Sequence, residues 1–452
     1  MADDARAIDA SPDDPARNVM LIVVDQHHSL LAGHAGHPDV ATPALDRLAA
    51  AGTRYTSAYS TSPFGSVARA SISSGRYRPV ARPRDGASGA RRIPGWAQAL
   101  ADAGYRVTTV GDLHAGATSD SGFGEQRLSM RGERAGIVRG ASAHARNGAG
   151  DKGSARIGAG ESPYSRFDRA VTAAAVGFLH EDRGSAPWAL TVSLAAPHLP
   201  RTVPREFFER YDRTSLSAAG HQHEAAGSAD HGREPGCSLG RPFSDEEHEV
   251  ARKASLGLGS FLDAKVGQLL DALDQSGQAD DTLVIYTAGH GGSCGIHGAW
   301  CTNALSEEAV GVPLLVAGTG VAPGRHIDVP VSHVDIAPTI LDWAKVSPRH
   351  RLDGAGVSLL DTPRVTAGDR AVMAEFVTDS GQGAMLRKGR MKYVERAGRP
   401  PQLFDVVSDP YECADLAGDR GSRGTLAECA DRLRELRSAD GGTQGSRAAL
   451  VG

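Results

Sequence analysis

Five short and mostly apolar runs mark the regular structure of this chain. None of them alternates strictly between apolar and polar residues, a pattern typical of strands covered on both faces, as in a parallel sheet. The runs are Val19–Val24, Arg106–Val110, Trp188–Leu194, Thr282–Thr287 and Pro313–Ala317.

Helical patterns with clear start and stop signals lie between these runs. Thr42 is followed by a proline and ALDRLAAA, which predicts a helix with Thr42 as its N-cap and a stop at Gly52. A longer helix is expected to begin at Ser244, which forms a capping box with Glu247, and to end near Gly277.

The alternation of strands and helices predicts an α/β fold with a doubly wound, mostly parallel sheet. A ligand site in such a sheet lies at the carboxyl ends of the strands. Beyond residue 360 the pattern changes to short strand-like pieces and a helix around Thr425–Arg437, which indicates a smaller C-terminal α+β subdomain. We therefore expect a disordered acidic tail over 1–17, a main domain over 18–360 and the subdomain over 361–452.

The composition narrows the classes of partner. The formal net charge is -5, so no broad basic surface for nucleic acid is indicated. No run is long and apolar enough to span a membrane, and the acidic start lacks the apolar stretch of a secretory signal. Five widely spaced cysteines do not suggest a disulfide framework. These features favour a cytoplasmic protein with a small-molecule substrate. They do not indicate an oligomeric state.

The chain also contains 55 glycines, and its glycine-rich stretches read as loops. Two of these stretches, at about 120–160 and 214–241, are expected to be irregular insertions.

Segments along almost the whole chain resemble those of the sulfatase family within the alkaline-phosphatase superfamily. They follow the family's order: NVMLIVVDQHH, TPALDRLAAAGTRYTSAYSTSPFGSVARASISSGRY, GYRVTTVGDLH, VSLAAPH, LGLGSFLDAKVGQLLDALDQSG, TLVIYTAGHGGSCGIHGAW, SEEAVGVPLLVAG, SHVDIAPTILDWA and LFDVVSDPYECADLAGD. Within the family the chain is most similar to the choline-sulfatase-like group, because of its Asp25-Gln26 pair and the segment IPGWAQALADAGYRVTTVGDLH.

The resemblance implies a nucleophile position that this chain has lost. The family oxidises a cysteine or serine to formylglycine within C/S-x-P-x-R at the start of a helix. Here Arg69 keeps the arginine, but Gly65 occupies the nucleophile position and Val67 replaces the proline. Ser66 lies three residues before Arg69 instead of four, so it would point about 100° away from the nucleophile's direction. We interpret Ser66 as a helix N-cap.

The metal ligands implied by the resemblance are also incomplete. The family's T-S-D-H-G turn reads here with Gly289 in place of the aspartate, which leaves Asp25, Gln26 and His290. A calcium-type ion takes six or more oxygen ligands, so calcium or magnesium should bind weakly or not at all. Two sulfate-binding lysines of the family are missing as well, because their positions read Asp112 and Thr302.

Several polar groups that the resemblance directs at the substrate remain. If catalysis is retained, the resemblance implies catalytic roles for six residues: Asp25, Arg69, His114, His198, His290 and His297. The residues expected to bind substrate are Gln26, Arg69, His114, His198 and Thr302.

One further motif suggests a different metal. His290, Cys294 and His297 form H-x3-C-x2-H, a set that suits zinc. The alternative is that His297 is inherited and the spacing is chance. His27 and His28 either line the mouth of the pocket or stabilise a loop.

Three function classes stay open. The chain is an ordinary sulfatase, a catalytically inactive pseudo-sulfatase that binds anions, or an enzyme that uses the sulfate pocket for different chemistry without formylglycine. The family's nucleophile and the aspartate of its T-S-D-H-G turn are both replaced by glycine, at Gly65 and Gly289, which enlarges a pocket instead of filling it. We therefore favour the third class, with cleavage of the C–O bond by elimination or internal displacement and with Asp25 as general base.

Overall fold

The structure, a computed structural model, describes eleven stretches of the chain. They are residues 17–77, 95–112, 124–128, 157–182, 184–198, 201–212, 244–292, 305–347, 356–361, 370–378 and 381–439. Most of the two expected insertions, and the acidic tail up to residue 16, fall outside these described residues.

An eight-stranded, mostly parallel sheet forms the centre of the protein, and all five predicted strands belong to it. Its strands are β1 (Asn18–Val24), β2 (Thr53–Tyr55), β4 (Arg106–Gly111), β5 (Glu125–Arg127), β7 (Trp188–Ser193), β9 (Thr282–Ala288), β10 (Leu314–Ala317) and β11 (Arg325–Ile327). Their order across the sheet is β11-β2-β10-β9-β1-β7-β4-β5.

The core of this sheet is parallel, as expected. β1 pairs in parallel with β7 and with β9, and β4 pairs in parallel with β7. Every residue of β1 is buried, so both faces of the sheet centre are covered. β10 differs from the expectation because it runs antiparallel to β9. The carboxyl ends of β1 and β9 therefore meet at one edge, with Val24 paired to Ala288.

Two groups of helices pack on the sheet. The helices of the described residues are α1 (Pro43–Ala51), α2 (Gly65–Ser74), α3 (Trp96–Asp102), α4 (Pro163–His180), α5 (Arg205–Phe208), α6 (Asp245–Gln275), α7 (Glu307–Val310), α8 (Ile336–Trp343) and α9 (Arg423–Ala439). In the first group, α1, α4 and α5 pack on the long helix α6. In the second group, α2, which carries Arg69, packs with α3 and α8. In the described part of the chain, no helix has the length and apolarity that crossing a membrane requires.

The predicted helix boundaries hold and both predicted N-cap residues, those of α1 and α6, are confirmed, although the side chain of one does not cap its helix. The capping box of Ser244 at the start of α6 is confirmed. Thr42 is the N-cap residue of α1, yet its side chain makes no capping bond. Instead the carboxylate of Asp263, on α6, accepts hydrogen bonds from the backbone N–H groups of Ala44 and Leu45 at 3.1 and 2.8 Å. The cap is thus a tertiary contact, which local sequence does not reveal.

The C-terminal part forms a four-stranded antiparallel sheet with one helix, α9, packed on it. The strands are β13 (Ala371–Thr378), β14 (Gly381–Lys388), β15 (Met391–Arg396) and β16 (Gln402–Asp405), in sequence order. Four further short strands make two small parallel pairs: β3 (Ala58–Tyr59) with β12 (Val331–Ser332), and β6 (Gly158–Ala159) with β8 (Thr202–Val203).

A buried ionic cluster joins the C-terminal sheet to β3 and to the start of α7. The ammonium of Lys392, on β15, is fully buried and lies 3.1 Å from Glu307 and 2.8 Å from Glu412. The Tyr59 hydroxyl donates to Glu307 at 2.5 Å and accepts from Nε of Arg387 at 2.9 Å. We call these five residues the lysine cluster.

The lysine cluster supports the backbone next to the carboxyl ends of the sheet. Glu307 begins α7, and the carbonyls of Ala309 and Val310 accept hydrogen bonds from the N–H groups of Gly291 and Ser60 at 2.9 and 2.8 Å. The Ser60 hydroxyl in turn donates to the carbonyl of Gly289 at 2.8 Å. The segments that follow β9 and β3 are therefore fixed relative to each other.

Candidate active site

The carboxylate of Asp25 lies directly after β1 and is bound to an arginine. Asp25 is 3% exposed, and its Oδ1 lies 2.9 Å from Nη2 of Arg69. The next residue, Gln26, has a φ of 58°, in the left-handed region that side chains other than glycine seldom adopt. The backbone thus turns sharply at the point where the two predicted site residues stand.

Arg69 is held from two further directions. Its Nη1 donates to the Ser193 hydroxyl at 2.7 Å, and this hydroxyl donates to the backbone carbonyl of Asp112 at 2.7 Å. Arg69 is 4% exposed, but its Nε–H has no hydrogen-bond partner among the described residues. An unpaired buried donor of this kind costs about 1–3 kcal/mol unless a ligand or water satisfies it.

The two predicted glycines face the same polar groups. A Cβ placed on Gly65 would lie 3.5 Å from Cδ2 and Nε2 of His290 and 3.6 Å from Oδ1 of Asp25. A Cβ on Gly289 would lie 3.4 Å from the same Asp25 oxygen and 3.6 Å from Nε of Arg69. These are ordinary contact distances, so both positions have room for a side chain. Asp25, Gly65, Arg69, Gly289 and His290 therefore converge, as predicted.

His290 presents one ring nitrogen to this space. Its Nδ1 lies 2.6 Å from the carbonyl of Gly291, so Nδ1 carries the proton and donates it. Burial lowers the pKa of His290, which favours the neutral ring. The other nitrogen, Nε2, then holds a lone pair on the side of Gly65. Sequence could place His290 at the site, but it could not assign this tautomer.

The start of α2 adds backbone donors to the same space. The helix begins at Gly65, and its N-cap is Phe64, whose side chain makes no capping bond. The interpretation of Ser66 as the N-cap is therefore wrong, because Ser66 lies inside the first turn with an exposed side chain. The first N–H groups of a helix have no intrahelical partner and attract anions.

His198 lies close enough to His290 that its charge lowers the pKa of the His290 ring. It follows a turn whose N–H groups at Ala195 and Ala196 donate to the carboxylate of Asp168 at 2.7 and 2.8 Å. Burial raises the pKa of Asp168 to about 7. Asp168 was not predicted, although a carboxylate on the otherwise apolar face of α4 was a signal that could have found it.

Of the two roles predicted for His27, the structure supports the stabilising one, because both of its ring nitrogens bind protein atoms. Its Nδ1 lies 2.6 Å from the Tyr286 hydroxyl and its Nε2 lies 2.8 Å from the carbonyl of Leu31. His28 is also buried, and its Nδ1 accepts from the N–H of Leu30 at 3.2 Å. Burial lowers the pKa of each ring to about 4.

His333 is a buried residue near the site that was not predicted. Its Nε2 donates to the carbonyl of Ala288 at 2.9 Å, directly before Gly289. Burial lowers its pKa. It lies within the segment SHVDIAPTILDWA, but nothing in that segment distinguished it from a loop residue.

The described residues do not fit a calcium-type ion. Such an ion requires several oxygen ligands. Here the single convergent carboxylate, that of Asp25, already binds a guanidinium, and Gly289 supplies no side-chain oxygen. No group of three His, Cys, Asp or Glu side chains suited to a metal occurs in the described stretches. Four predicted site residues lie outside those stretches, so the zinc hypothesis stays a prediction: His114, Cys294, His297 and Thr302.

The protein-family comparison matches residues 17–346 to the sulfatase model. The chain belongs to the sulfatase family. Choline-sulfatase from Rhizobium meliloti (strain 1021) is 31% identical to it, over 93% of this chain and 86% of that protein. The multifunctional alkaline phosphatase superfamily protein PehA from Trinickia caryophylli is 26% identical, over 89% of this chain and 91% of its own length.

Solved structures support the fold of this sulfatase-family chain. The phosphonate monoester hydrolase of Agrobacterium radiobacter superimposes with a TM-score of 0.73 at 23% identity, covering 94% of this chain and 96% of that one. A protein solved with its substrate D-glucosamine-2-N,6-O-disulfate gives a TM-score of 0.74 at 17% identity, covering 95% of this chain and 99% of that one. At these identities the likeness concerns the fold.

Proposed function

We propose that this protein binds a sulfate ester, or a similar anionic ester, and cleaves its C–O bond without formylglycine. One observation carries the proposal. Polar groups that suit an anion border Gly65 and Gly289, where a Cβ would stand at ordinary contact distance: the unpaired Nε–H of Arg69, the uncapped start of α2 and the ring of His290. A binding site that had decayed would tend to fill with bulky apolar groups, whereas an altered active site keeps convergent polar groups around open volume.

The anion is held by N–H donors. The Asp25 charge is already balanced by Arg69, so the described pocket is close to neutral. A singly charged sulfate monoester would accept hydrogen bonds from Arg69 Nε and from the first N–H groups of α2. The same donors would stabilise the charge that grows on the sulfate oxygens as the C–O bond breaks.

His290 is better placed than Asp25 to accept the proton. Asp25 is bound to Arg69, whereas Nε2 of His290 carries a lone pair on the side of Gly65. In an elimination, Nε2 takes a proton from the carbon next to the ester carbon. The electron pair of that C–H bond forms the C=C bond, and the electron pair of the C–O bond leaves with sulfate. In an internal displacement, Nε2 takes the proton of an amine or hydroxyl of the substrate. The lone pair of that nitrogen or oxygen forms the bond to the ester carbon, and sulfate leaves with the electron pair of the C–O bond.

Nothing among the described residues can attack sulfur as the family's nucleophile does. Gly65 has no side chain, and Ser66 is exposed on the first turn of α2. We therefore place attack at carbon above hydrolysis at the S–O bond.

A second function is favoured by the burial of the ion pair. The Asp25 carboxylate is almost completely buried and bound to Arg69, so it is not free to act as a nucleophile. The protein would then be an anion-binding module without turnover.

Isotope labelling separates these functions. Candidate sulfated metabolites are incubated with the protein in ¹⁸O-labelled water, and the released sulfate is analysed by mass spectrometry. Unlabelled sulfate together with an unsaturated or cyclised product supports C–O cleavage, and His290→Gln should abolish it. Label in the sulfate would show attack at sulfur and rule the proposal out. No release from any substrate would favour the binding module.

A further inference from the structure

Two phenylalanines pack on each other at the start of α2, next to the candidate site. Phe64 immediately precedes Gly65, and its ring packs edge-on against Phe376 of β13, with ring centroids 6.3 Å apart and an interplanar angle of 67°. Both rings are only partly buried. Aromatic side chains that remain partly exposed beside a polar site commonly mark a ligand-binding surface.

The position of Phe376 relative to the site is fixed by the backbone. The N–H of Glu375 donates to the carbonyl of Thr61 at 3.0 Å, which holds β13 against the loop that leads into Gly65. Side chains alternate along a strand, so Glu375 and Phe376 point to opposite faces of β13. Glu375 faces away from the aromatic pair and forms an ion pair with Arg437 at 3.3 Å.

Gly383 and Leu305 hold the Phe376 ring in place. A Cβ on Gly383 would lie 2.8 Å from Cε1 of Phe376, so only glycine leaves room for the ring at this point. Leu305 is fully buried, and its Cδ1 would lie 3.1 Å from the same Cβ. The ring is therefore packed against the strand next to it on one side and open on another.

We propose that Phe64 and Phe376 form a substrate subsite for an apolar group, an arylalkyl or branched alkyl chain, whose saturated carbon carries the sulfate. The proposal rests on the proposed function, because it requires the anion to bind between Gly65 and Gly289. The two rings carry no hydrogen-bonding groups, so the pair offers nothing to the hydroxyl groups of a sugar. An aromatic group can instead stack on the ring faces, as aromatic pairs do at centroid distances of about 4.5–7 Å.

The test compares binding of three sulfate monoesters by calorimetry: methyl sulfate, 2-phenylethyl sulfate and glucose 6-sulfate. We expect 2-phenylethyl sulfate to bind about tenfold more tightly than the other two, because an aromatic contact adds to the shared contacts of the sulfate group. Phe376→Ala and Phe64→Ala should each reduce this preference by about three- to tenfold while leaving methyl sulfate affinity unchanged.

Two further variants keep the test decisive. Val407→Ala removes an apolar side chain that is 64% exposed elsewhere in the C-terminal part, and it should change nothing. If Phe376→Ala fails to fold, Phe376→Leu takes its place in the test. This variant keeps the packing against Gly383 and should lose the preference for the aromatic ester. Equal binding of all three esters, a preference for the sugar sulfate, or a preference that survives both phenylalanine variants would overturn the subsite alone. Failure of all three esters to bind would overturn the anion site and the subsite together.

Discussion

The site and the lysine cluster are two buried ionic groups in one chain, and they differ in what surrounds them. In the lysine cluster the ammonium of Lys392 has two carboxylate partners within 3.1 Å, and Glu307 also accepts from a tyrosine. In the site, Arg69 has one carboxylate partner, an unpaired Nε–H and two glycines beside it. Nη1 of Arg387 in the lysine cluster also lacks a hydrogen-bond partner among the described residues, so the difference lies in the glycines: only the site has backbone positions without side chains beside its charges. A cluster enclosed by its own side chains stabilises the fold, whereas one bordered by glycines is suited to a ligand.

The largest effect is expected from the lysine cluster. Lys392→Met removes a fully buried ammonium and leaves Glu307 and Glu412 without their main partner, which should lower the free energy of unfolding by about 3–5 kcal/mol. Chemical denaturation measures this change. The matched variant Lys388→Met removes an ion pair with Glu428 at the surface and should cost less than about 1 kcal/mol. Similar costs for the two variants would contradict the contrast.

The site, unlike the cluster, should be open to redesign. Gly289→Asp would add a carboxylate next to Asp25 and supply a ligand that a divalent cation lacks here. We expect calcium or magnesium to raise the melting temperature of this variant only, with about 2.7 kcal/mol of stabilisation at a hundredfold excess over Kd. Gly289→Asn is the control of equal size without the charge. Equal stabilisation of the wild type by calcium would show that the original site already binds the ion.

A pH effect is expected from Asp168, which lies next to the site. Its pKa is about 7 in the folded protein against 3.8 for an ordinary aspartate, because it is buried. Between these values the folded state binds more protons than the unfolded state, so the free energy of unfolding should fall as pH rises from about 4 to about 7. Asp168→Asn should flatten this decline, as followed by denaturation at several pH values. The exposed Asp271→Asn should leave it intact, and an unchanged slope in Asp168→Asn would refute the assignment.

The smallest effect is expected from filling the pocket. Gly65→Ala places a methyl group at ordinary contact distance from His290 and Asp25, so the free energy of unfolding should change by less than about 1 kcal/mol. The affinity for methyl sulfate should nevertheless fall, because the methyl group occupies the anion's space. The control is Gly291→Ala, whose Cβ would lie 2.0 Å from the carbonyl of Glu308 and should destabilise the protein strongly. A severe loss of stability in Gly65→Ala would show that no space exists there.

The sequence predicted the parts of this structure that depend on pattern and order. The mostly apolar runs predicted the buried strands. The order of segments shared with the sulfatase family predicted that Asp25, Gly65, Arg69, Gly289 and His290 belong to one site at an edge of the sheet. It could not predict contacts made by distant residues. The capping of α1 by Asp263, the support of the His198 turn by Asp168 and the lysine cluster each join segments far apart in the chain.

The direct test of the central claim is a calorimetric titration of methyl sulfate into the wild-type protein after divalent cations have been removed with a chelator. We predict saturable binding at one site per chain, weakened by about tenfold or more in Arg69→Lys, which keeps the charge opposite Asp25 but loses the Nε–H and the bond to Ser193. Binding that occurs only after calcium is added, or that is equally strong in Arg69→Lys, would contradict an anion site built on this arginine.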